Sequence, residues 1–454
     1  MAYVLRHYQA EAMRRILHLI AMGVTAILTV APTGAGKTVL AAALIEYFLS
    51  RGARVLFVAH RDDLIVQCCN KLKENGVRFG VIKSGRDDGD LGARVHVASV
   101  QTFCARVRFM LSSYDLVIFD EAHHSVAPSY MKIVKHCTRD DHPPVVIGLT
   151  ATPYRTDGKG LGELYQEIVN VATVTELIDQ GFLVPTRIFR AEAPRELHSL
   201  KTAGGDYREE DLERVMNKPR LLGHAVNEYL RIASGLRCLG FYVNRAHAKA
   251  ALEAFMAAGV ATEYVDGETT TREREGIWDR LYRGRTLYVC NVGVATEGFD
   301  MPRLEAVQGN RPTQSRNVFK QIIGRGARPC AEIYKTHFLL LDHCGWTQAH
   351  GYFTDPDIVD LHSGLSKERP KTVVTCPRCH AALASRPRIC PSCGASLVSA
   401  AGEDQIGLGD ASVSLVEDAP FFGQWRQRVP EPTPAPYVAQ RPNMMRVARR
   451  SRGL

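Results

Sequence analysis

The sequence has no run of about 18 consecutive apolar residues, the length that an α-helix needs to cross a bilayer. Its first residues also lack the apolar stretch of a secretory signal peptide, because Met1–Gln9 lead directly into an amphipathic pattern. The spacing of a disulfide framework is missing as well: of 12 cysteines, eight are scattered through apparent core segments and four cluster near the C-terminus. We therefore expect a cytoplasmic protein that has no membrane partner.

What the chain does have is length and positive charge. Its 454 residues are enough for two or three domains, and 45% of them are hydrophobic, so a full core can form. The net charge is +9, and the pI is about 8.9. A basic protein of this kind can bind nucleic acid. The charge alone does not identify the partner, because residues 420–454 hold seven arginines against one glutamate.

A glycine-rich loop stands between a strand pattern and a helix pattern near the N-terminus. The apolar run Thr25–Val30 predicts a buried parallel strand, Val39–Leu49 predicts a helix, and Ala31–Thr38 lies between them. Strand, loop and helix in this order predict a phosphate cradle for ATP, with Lys37 on the β- and γ-phosphates and Thr38 on Mg²⁺. The alternative is a glycine-rich turn that binds no nucleotide. The predicted binding positions are Thr33, Gly34, Ala35, Gly36, Lys37 and Thr38.

Further strand patterns alternate with helix patterns, which is typical of a doubly wound α/β domain with ligands at the carboxyl ends of its strands. One predicted strand leads directly into the tetrapeptide Asp-Glu-Ala-His, which begins at Asp120. Two adjacent acids at a strand end can be an ordinary solvated turn. After a phosphate loop they predict a catalytic pair, in which Asp120 holds Mg²⁺ and Glu121 polarises the attacking water. His123 is a candidate for coupling this pair to Thr150 and Thr152.

A second α/β series contributes the stretch Gln321–Arg328. Arg325 and Arg328 are three residues apart, so on a helix they share a face. Aimed across a cleft between two domains, they would meet the charge of the γ-phosphate as arginine fingers, which typically contribute roughly 10³–10⁵ in rate. Gln321 is the third residue that we assign to the catalytic set from this stretch. The alternative is a basic helix on the surface.

Four cysteines near the C-terminus form two Cys-x-x-Cys pairs: Cys376 with Cys379, and Cys390 with Cys393. Paired knuckles of this kind suit tetrahedral Zn²⁺ bound by four thiolates, although the stretch between them is shorter than usual. A closed four-cysteine site has no open coordination position, so we predict a structural zinc module and no catalysis there. A redox dithiol pair and an iron–sulfur cluster are the alternatives.

The predicted organisation has two α/β domains at 1–183 and 184–345, a polar linker at 346–375, the zinc module at 376–397 and a tail at 398–454. The tail carries six prolines between residues 420 and 442, a composition typical of flexible or disordered segments. The predicted strands of the second domain are Leu236–Val243, Ala261–Val265, Arg285–Cys290 and His337–Asp342.

The order of these motifs resembles that of the superfamily 2 helicases and translocases over residues 1–345. The resemblance implies an α/β fold with two tandem RecA-like parallel-sheet domains and ATP in the cleft between them. The form of motif V, Thr-Glu-Gly-Phe-Asp, and the cysteine module look most similar to the XPB/RadD branch, which includes bacterial and phage DNA-repair ATPases. Besides the phosphate loop and the DEAH box, the matching stretches are Leu5–Gln9, Val58–Arg61 (motif Ia), Ser99–Thr102 (Ib), Thr150–Thr152 (III), Phe241–Val243 (IV), Thr296–Asp300 (V) and Gln321–Arg328 (VI).

The resemblance also implies roles for single residues. Arg6 and Gln9 should contact adenine, and Gly298 and Asp300 should line the ATP cleft. A further set should lie on the nucleic-acid side, where contacts go mostly to phosphates. These residues are Arg61, Gln101, Thr102, Thr296, Arg311 and Thr313. Thr102 could equally be a helix N-cap.

We therefore predict an ATP hydrolase that acts as a DNA helicase or translocase, with ATP, Mg²⁺ and Zn²⁺ as its ligands. Closing and opening of the cleft would move the two domains along the strand. An RNA helicase is the main alternative. The others are a scaffold with a vestigial ATPase, recruited to a protein partner through the zinc module or the basic tail, and a restriction-system motor subunit that acts with a partner.

Overall fold

The computed structural model of the chain describes residues 4–365 with short gaps, and beyond them only four short pieces. The gaps are 86–89, 91, 112, 139–142, 156–158, 192–193, 201, 204–205, 296–300 and 358, and the pieces are 374–375, 382–383, 396 and 414–417. The described residues form two largely parallel β-sheets with helices around them, which confirms the predicted α/β fold with two parallel-sheet domains. The four cysteines of the predicted zinc module and nearly all of the tail lie outside the described residues.

The first lobe is built on a seven-stranded sheet in the order β3-β4-β2-β5-β6-β1-β7, and all neighbouring strands run parallel. Its strands are β1 (Ala26–Val30), β2 (Val55–Ala59), β3 (Gly80–Ile82), β4 (Val95–Ser99), β5 (Leu116–Asp120), β6 (Val145–Thr150) and β7 (Glu167–Asn170). Its helices are α1 (His7–Ala21), α2 (Lys37–Leu49), α3 (Asp62–Glu74), α4 (Val100–Ala105), α5 (Pro128–Cys137) and α6 (Val174–Asp179).

The predicted motifs of the first lobe lie together at one edge of its sheet, at the carboxyl ends of the strands. All residues of β2, β4 and β5 are buried, as expected of parallel strands that are covered on both faces. In the strand register Val30 lies opposite Thr150, and Asp120 lies opposite Leu149. The loops after β1, β5 and β6 therefore leave the sheet side by side, although they are far apart in the sequence.

The second lobe is built on another seven-stranded sheet, in the order β12-β13-β11-β14-β15-β8-β20, in which only the pairing of β20 with β8 is antiparallel. Its strands are β8 (Thr186–Arg190), β11 (Cys238–Phe241), β12 (Thr262–Val265), β13 (Tyr288–Asn291), β14 (Ala306–Gly309), β15 (Phe338–Asp342) and β20 (Ser414–Glu417). Two further pairs of short antiparallel strands are β9 (Thr202–Ala203) with β10 (Asp206–Tyr207), and β18 (Val374–Thr375) with β19 (Ala382–Leu383). The helices are α7 (Glu209–Met216), α8 (Pro219–Ile232), α9 (Arg245–Ala257), α10 (Thr271–Tyr282), α11 (Arg316–Gly326) and α12 (Trp346–His350).

Strands β8 and β14 are not among the strands that the sequence predicted. Strand β14 contains Gln308 and ends at Gly309, so its pattern is neither continuous nor alternating. The Gln308 side chain is nevertheless fully buried, because its amide donates to the Ala225 carbonyl (2.9 Å) and its carbonyl accepts from the Tyr288 hydroxyl. Hydrogen bonds from outside the strand thus offset the cost of burying an amide.

Residues 346–357 and 359–365, which the sequence placed in a polar linker, form a structured segment that we call the strap. It begins with α12, where Trp346 is 1% exposed and donates its indole N–H to the Arg311 carbonyl (2.8 Å). It ends in a short hairpin of β16 (Val359–Asp360) and β17 (Gly364–Leu365). Its buried apolar residues, Trp346, Phe353 and Leu361, are spread among polar residues without a helix or strand period, so the sequence did not predict this packing.

The described helices include none that is long and apolar enough to cross a membrane. Across the same residues, His, Cys, Asp and Glu side chains do not gather in a group of three or more that could hold a metal ion. The four cysteines lie outside these residues, so the zinc site stays a prediction.

Candidate functional site

The glycine-rich loop takes the shape of an anion cradle. Gly34 and Gly36 have φ of +92° and +81°, a region that residues with a side chain rarely adopt. A Cβ at Gly34 would also come within 2.6 Å of the Leu183 side chain. Helix α2 begins directly after the loop, at Lys37. The loop and the positive end of the helix therefore offer backbone N–H groups to an anion.

Lys37 meets a carboxylate from the neighbouring strand end. Its Nζ lies 2.8 Å from Oε1 of Glu121, and the two side chains are 17% and 8% exposed. Burial lowers the pKa of the Lys37 ammonium, but the charges of Glu121 and Asp120 outweigh burial, so that its pKa is raised. The charge of Arg325, from the second lobe, opposes that rise. The ammonium thus stays protonated at this position, as a phosphate-binding lysine must.

Asp120 is a buried acid at the end of β5. Its Oδ1 accepts the Glu121 backbone N–H (3.0 Å). Burial raises the pKa of Asp120 to about 6, Lys37 opposes this rise and Glu121 adds to it. A carboxylate that is ionised in such surroundings favours a cation beside it. Asp120, together with the hydroxyl of Thr38 on the first turn of α2, is a donor set of the hard-oxygen type that Mg²⁺ prefers.

Glu121 has a strained backbone. Its φ and ψ are 48° and 54°, the left-handed region, and its side chain is buried. A non-glycine residue in a sparsely populated region costs about 1–3 kcal/mol and persists only where the surroundings hold it. The strained turn directs the carboxylate toward Lys37 on one side, and Oε2 lies 3.5 Å from Nδ1 of His123 on the other.

A short chain of hydrogen bonds joins the ends of β5 and β6. His123 Nδ1 lies 3.3 Å from the Thr150 hydroxyl. That hydroxyl donates to the Thr152 carbonyl (2.9 Å) and accepts the Thr152 N–H (3.1 Å). The structure therefore brings together the three residues that the sequence proposed for coupling.

The start of α1 is tied to the phosphate loop. The Gln9 side-chain amide donates to the Ala35 carbonyl (2.8 Å) and accepts the Arg6 N–H (3.0 Å), and Gln9 is 2% exposed. The Tyr8 hydroxyl also donates to Ala35 (3.3 Å). The Arg6 guanidinium lies 4.0 Å over the ring of Phe182, a residue that the sequence reasoning did not single out. In the sequence, Phe182 is only an aromatic residue beside the predicted domain boundary, and nothing there connects it to Arg6.

Helix α11 of the second lobe lies against the phosphate loop of the first. A Cβ added to Gly324 would come within 2.5 Å of the Thr33 side chain, so the glycine permits a close approach of the two elements. The Asn317 amide donates to the Tyr154 carbonyl of the first lobe (3.1 Å). Gln321 is 4% exposed on this helix. Residues of both lobes therefore meet at one place.

The two predicted arginine fingers differ in what the structure shows of them. Arg325 is close enough to Lys37 for its charge to act on the pKa of that lysine. Arg328 follows the end of α11, and burial lowers the pKa of its guanidinium. Gly298 and Asp300, predicted to line the cleft, and Thr296, predicted to contact nucleic acid, lie outside the described residues.

The nucleic-acid positions predicted in the first lobe fall into two kinds. Arg61 precedes α3, and Gln101 lies exposed at the start of α4, where its amide reaches the His60 carbonyl (3.5 Å). Both are at the carboxyl edge of the sheet. Thr102 is buried, and its hydroxyl accepts the Ser84 N–H (3.0 Å). The N-cap of α4 is Ser99 rather than Thr102.

In the second lobe, Arg311 and Thr313 belong to a loop that is held by Asp206. This carboxylate accepts from the Thr313 hydroxyl (2.9 Å) and from the Gln314 N–H (2.7 Å), and it lies 3.6 Å from the Arg311 guanidinium. Thr313 is 3% exposed. The sequence reasoning missed Asp206, because nothing near it in the sequence connects it to residues 311–314.

Comparison with known families fits this arrangement. Residues 2–155 match the family described as type III restriction enzyme, res subunit, and residues 221–330 match the helicase conserved C-terminal domain. Together the two matches support a superfamily 2 helicase. The first match contains the glycine-rich loop and the tetrapeptide that begins at Asp120, and the second contains α11, so both parts of the candidate site lie within matched regions.

Individual relatives cover most of this chain. IRC3 of Saccharomyces cerevisiae, named as an ATP-dependent helicase, is 32% identical over 378 residues, which are 80% of this chain and 54% of the yeast protein. A 51.5 kDa protein of a Lactococcus phage is 28% identical over 391 residues, 85% of this chain and 81% of that one. The fold is similar to a fragment described as an HsdR subunit of a type I restriction enzyme from Vibrio vulnificus. The TM-score is 0.62 at 23% identity, over 82% of this chain and 69% of that chain. This chain thus spans about half the length of the yeast relative.

Proposed function

We propose that the protein is an ATP-dependent DNA helicase or translocase, of the XPB/RadD type within its superfamily. The observation that carries the proposal is the close packing of α11 against the phosphate loop, beside the largely buried pair of Lys37 and Glu121. Because this contact draws residues from both lobes to one place, a nucleotide bound there would sense whether the cleft is open or closed.

The residues of the first lobe would act in a defined order when ATP binds. The γ-phosphate of ATP would replace Glu121 as the partner of Lys37, and the released carboxylate would then be able to orient and polarise water. Asp120 and Thr38 would hold Mg²⁺, which neutralises phosphate charge. The adenine would lie near Arg6 and Gln9. The Gln9 side chain already contacts the phosphate loop, and the Arg6 guanidinium lies over the Phe182 ring.

The second lobe would complete the site only on closure. Arg325, with Arg328 after it, would reach the γ-phosphate as charge develops there, and Gln321 would support this constellation. Gly298 and Asp300 are proposed for the same cleft on the strength of the motif resemblance. Hydrolysis would remove the charge that holds α11 and allow the lobes to separate.

We propose that DNA is the partner, and that it contacts residues of both lobes. Both the res-subunit family and the Vibrio fragment are named as parts of restriction enzymes, whose substrate is DNA. Arg61 and Gln101 lie at the carboxyl edge of the first sheet, where they could hold backbone phosphates. Arg311 and Thr296 are proposed for the second lobe. For Thr102 and Thr313 we propose an indirect part, because their hydroxyls are already bound within the protein.

Two further parts of the proposal rest on the sequence. The four cysteines would bind one structural Zn²⁺, and the zinc module or the basic tail would dock a protein partner. A repair role would be in keeping with the RadD resemblance. An RNA helicase, a scaffold and a restriction motor remain the rival functions.

ATP turnover tests the proposal. It should be measured with no nucleic acid, with single-stranded, duplex and forked DNA, and with RNA, for the wild type and for Lys37→Ala as the inactive control. We expect stimulation by DNA, little by RNA, and loss of turnover in the variant. Stimulation by RNA alone would assign the protein to the RNA helicases, and no turnover under any condition would favour a scaffold.

A further inference from the structure

The strap, residues 346–357 and 359–365, is anchored in both lobes. In the second lobe Trp346 and Phe353 are 1% and 2% exposed, and the Trp346 ring packs at 6.2 Å between ring centroids against Phe319 of α11. In the first lobe Leu361 is buried among the core residues, and its carbonyl accepts the Gly162 N–H (2.6 Å). The strap therefore crosses from one lobe to the other.

Between these anchors the strap meets α11 through Asp357. The Asp357 carboxylate lies 2.7 Å from the Arg316 Nε and 3.0 Å from the Lys320 Nζ. The three side chains are 10–16% exposed. The same two cations also donate to strap carbonyls, Arg316 to His350 (2.8 Å) and Lys320 to Asp355 (2.7 Å). One strap carboxylate thus forms ion pairs with two nearly buried cations of one helix.

These cations and the candidate site share α11. Arg316 and Lys320 are four residues apart and occupy one face. Asn317, which bonds to the first lobe, lies three residues before Lys320, and Gly324, which touches the phosphate loop, lies four residues after it, so both adjoin this face. Arg325 lies nine residues after Arg316, about 14 Å along the helix axis at 1.5 Å per residue. A movement of the cationic face would therefore move Arg325 as well.

Removal of the carboxylate would have a specific consequence. A nearly buried charge that loses its partner is strongly unfavourable, and two cations without their shared anion would also repel each other. The helix would have to turn or shift so that water could reach them. That shift would withdraw the close contact at Gly324.

We infer that Asp357 is a positioning residue, which holds α11 against the phosphate loop so that Arg325 can reach the γ-phosphate. Because Leu361 of the strap packs in the core of the first lobe, the strap also links α11 to that lobe. This link is separate from the direct contact of α11 with the phosphate loop. The inference rests on the proposed ATP hydrolysis for its kinetic consequence and on the structure alone for its effect on α11.

The kinetic test compares Asp357→Asn with Glu305→Gln. The control removes the carboxylate of another partly buried pair in the second lobe, Arg237 with Glu305 (2.8 Å, 17% and 21% exposed). Glu305 immediately precedes β14, at the amino end of that strand. For Asp357→Asn we expect kcat to fall about tenfold or more, equivalent to about 1.4 kcal/mol. KM for ATP should stay within about twofold, since the proposed ATP-binding residues of the first lobe are intact. Asp357→Glu, which restores the charge, should recover part of kcat.

Two kinetic results would contradict the positioning role of Asp357. An equal loss of kcat in the control, or a raised KM with unchanged kcat in Asp357→Asn, would overturn the inference, because either would indicate a general loss of stability or of ATP binding.

Hydrogen exchange separates this inference from the proposed function. In the absence of nucleotide, the amides of Lys320–Gly326 should exchange faster in Asp357→Asn than in the wild type and in Glu305→Gln. If the wild type hydrolyses no ATP, the proposed function fails, but faster exchange in this helix would still support the positioning role. Unchanged protection of these amides would refute it.

Discussion

Replacing Asp120 by asparagine should stabilise the protein while removing its proposed Mg²⁺ ligand. Burial raises the pKa of this carboxyl from 3.8 to about 6. A shift of one pKa unit corresponds to 1.36 kcal/mol, so the ionised carboxylate costs the folded state at most about 3 kcal/mol. Asparagine keeps the shape and can still accept the Glu121 N–H, but it carries no charge to bury.

The effect has a defined pH dependence. The folded-state pKa of Asp120 is above its unfolded value, so between about pH 4 and pH 6 the folded state holds the proton more tightly. Wild-type stability from this group is therefore lost as the pH rises through that window. The advantage of Asp120→Asn should be near zero at pH 4 and should reach at most about 3 kcal/mol at pH 7.

Urea unfolding followed by circular dichroism, at several pH values between 4 and 8 and without nucleotide, measures this difference. Asp115→Asn is the control, because Asp115 precedes the same strand but is exposed and accepts the Arg54 N–H (2.7 Å). Excess Mg²⁺ should stabilise the wild type at pH 7 and leave Asp120→Asn unaffected. A difference that does not vary with pH, or a less stable variant at pH 7, would refute the burial argument.

Three other predictions can be checked directly. Gly324→Ala should lower kcat, because the new Cβ would separate α11 from Thr33. The control Gly223→Ala on α8 has nothing within 4 Å of its new Cβ, so it should keep kcat and gain up to about 1 kcal/mol of stability. Similar kcat in both variants would contradict the close-contact argument. Gln9→Ala should reduce the preference for ATP over GTP in competition kinetics, and an unchanged preference would remove Gln9 from adenine recognition. Metal analysis should find about one zinc per chain, lost when the four C-terminal cysteines become serine; a metal-free or iron-containing protein would exclude the zinc module.

Local sequence order made the phosphate loop predictable. Strand β1, the loop and α2 are consecutive, and each has its own pattern of apolar residues or glycines. The position of Asp120 was predictable for the same reason, since this acid directly follows the apolar run 116–119. The strained backbone of Glu121 was not, because glutamate has no intrinsic preference for that conformation.

Contacts between distant segments could not be predicted. Gly324 looks like an ordinary helix residue until the phosphate loop is packed against it, and Asp206 and Asp357 look like exposed acids in polar stretches. The sequence identifies which residues carry charge, but the three-dimensional fold decides which charges are shared. The hydroxyl of Thr102 makes the converse point, because a motif residue that was expected to face nucleic acid is bound to Ser84.

The central claim is that the second lobe completes the ATP site through Arg325, and the most direct test is to separate ATP binding from hydrolysis in Arg325→Ala. Turnover and the Kd for ATP should be measured side by side, with Arg283→Ala as control, since Arg283 is an exposed arginine of the same lobe that pairs with Asp279 on α10. We predict turnover lower by roughly 10³-fold with a Kd within about threefold of the wild type, and a control that behaves as wild type. Unchanged turnover in Arg325→Ala would contradict the account.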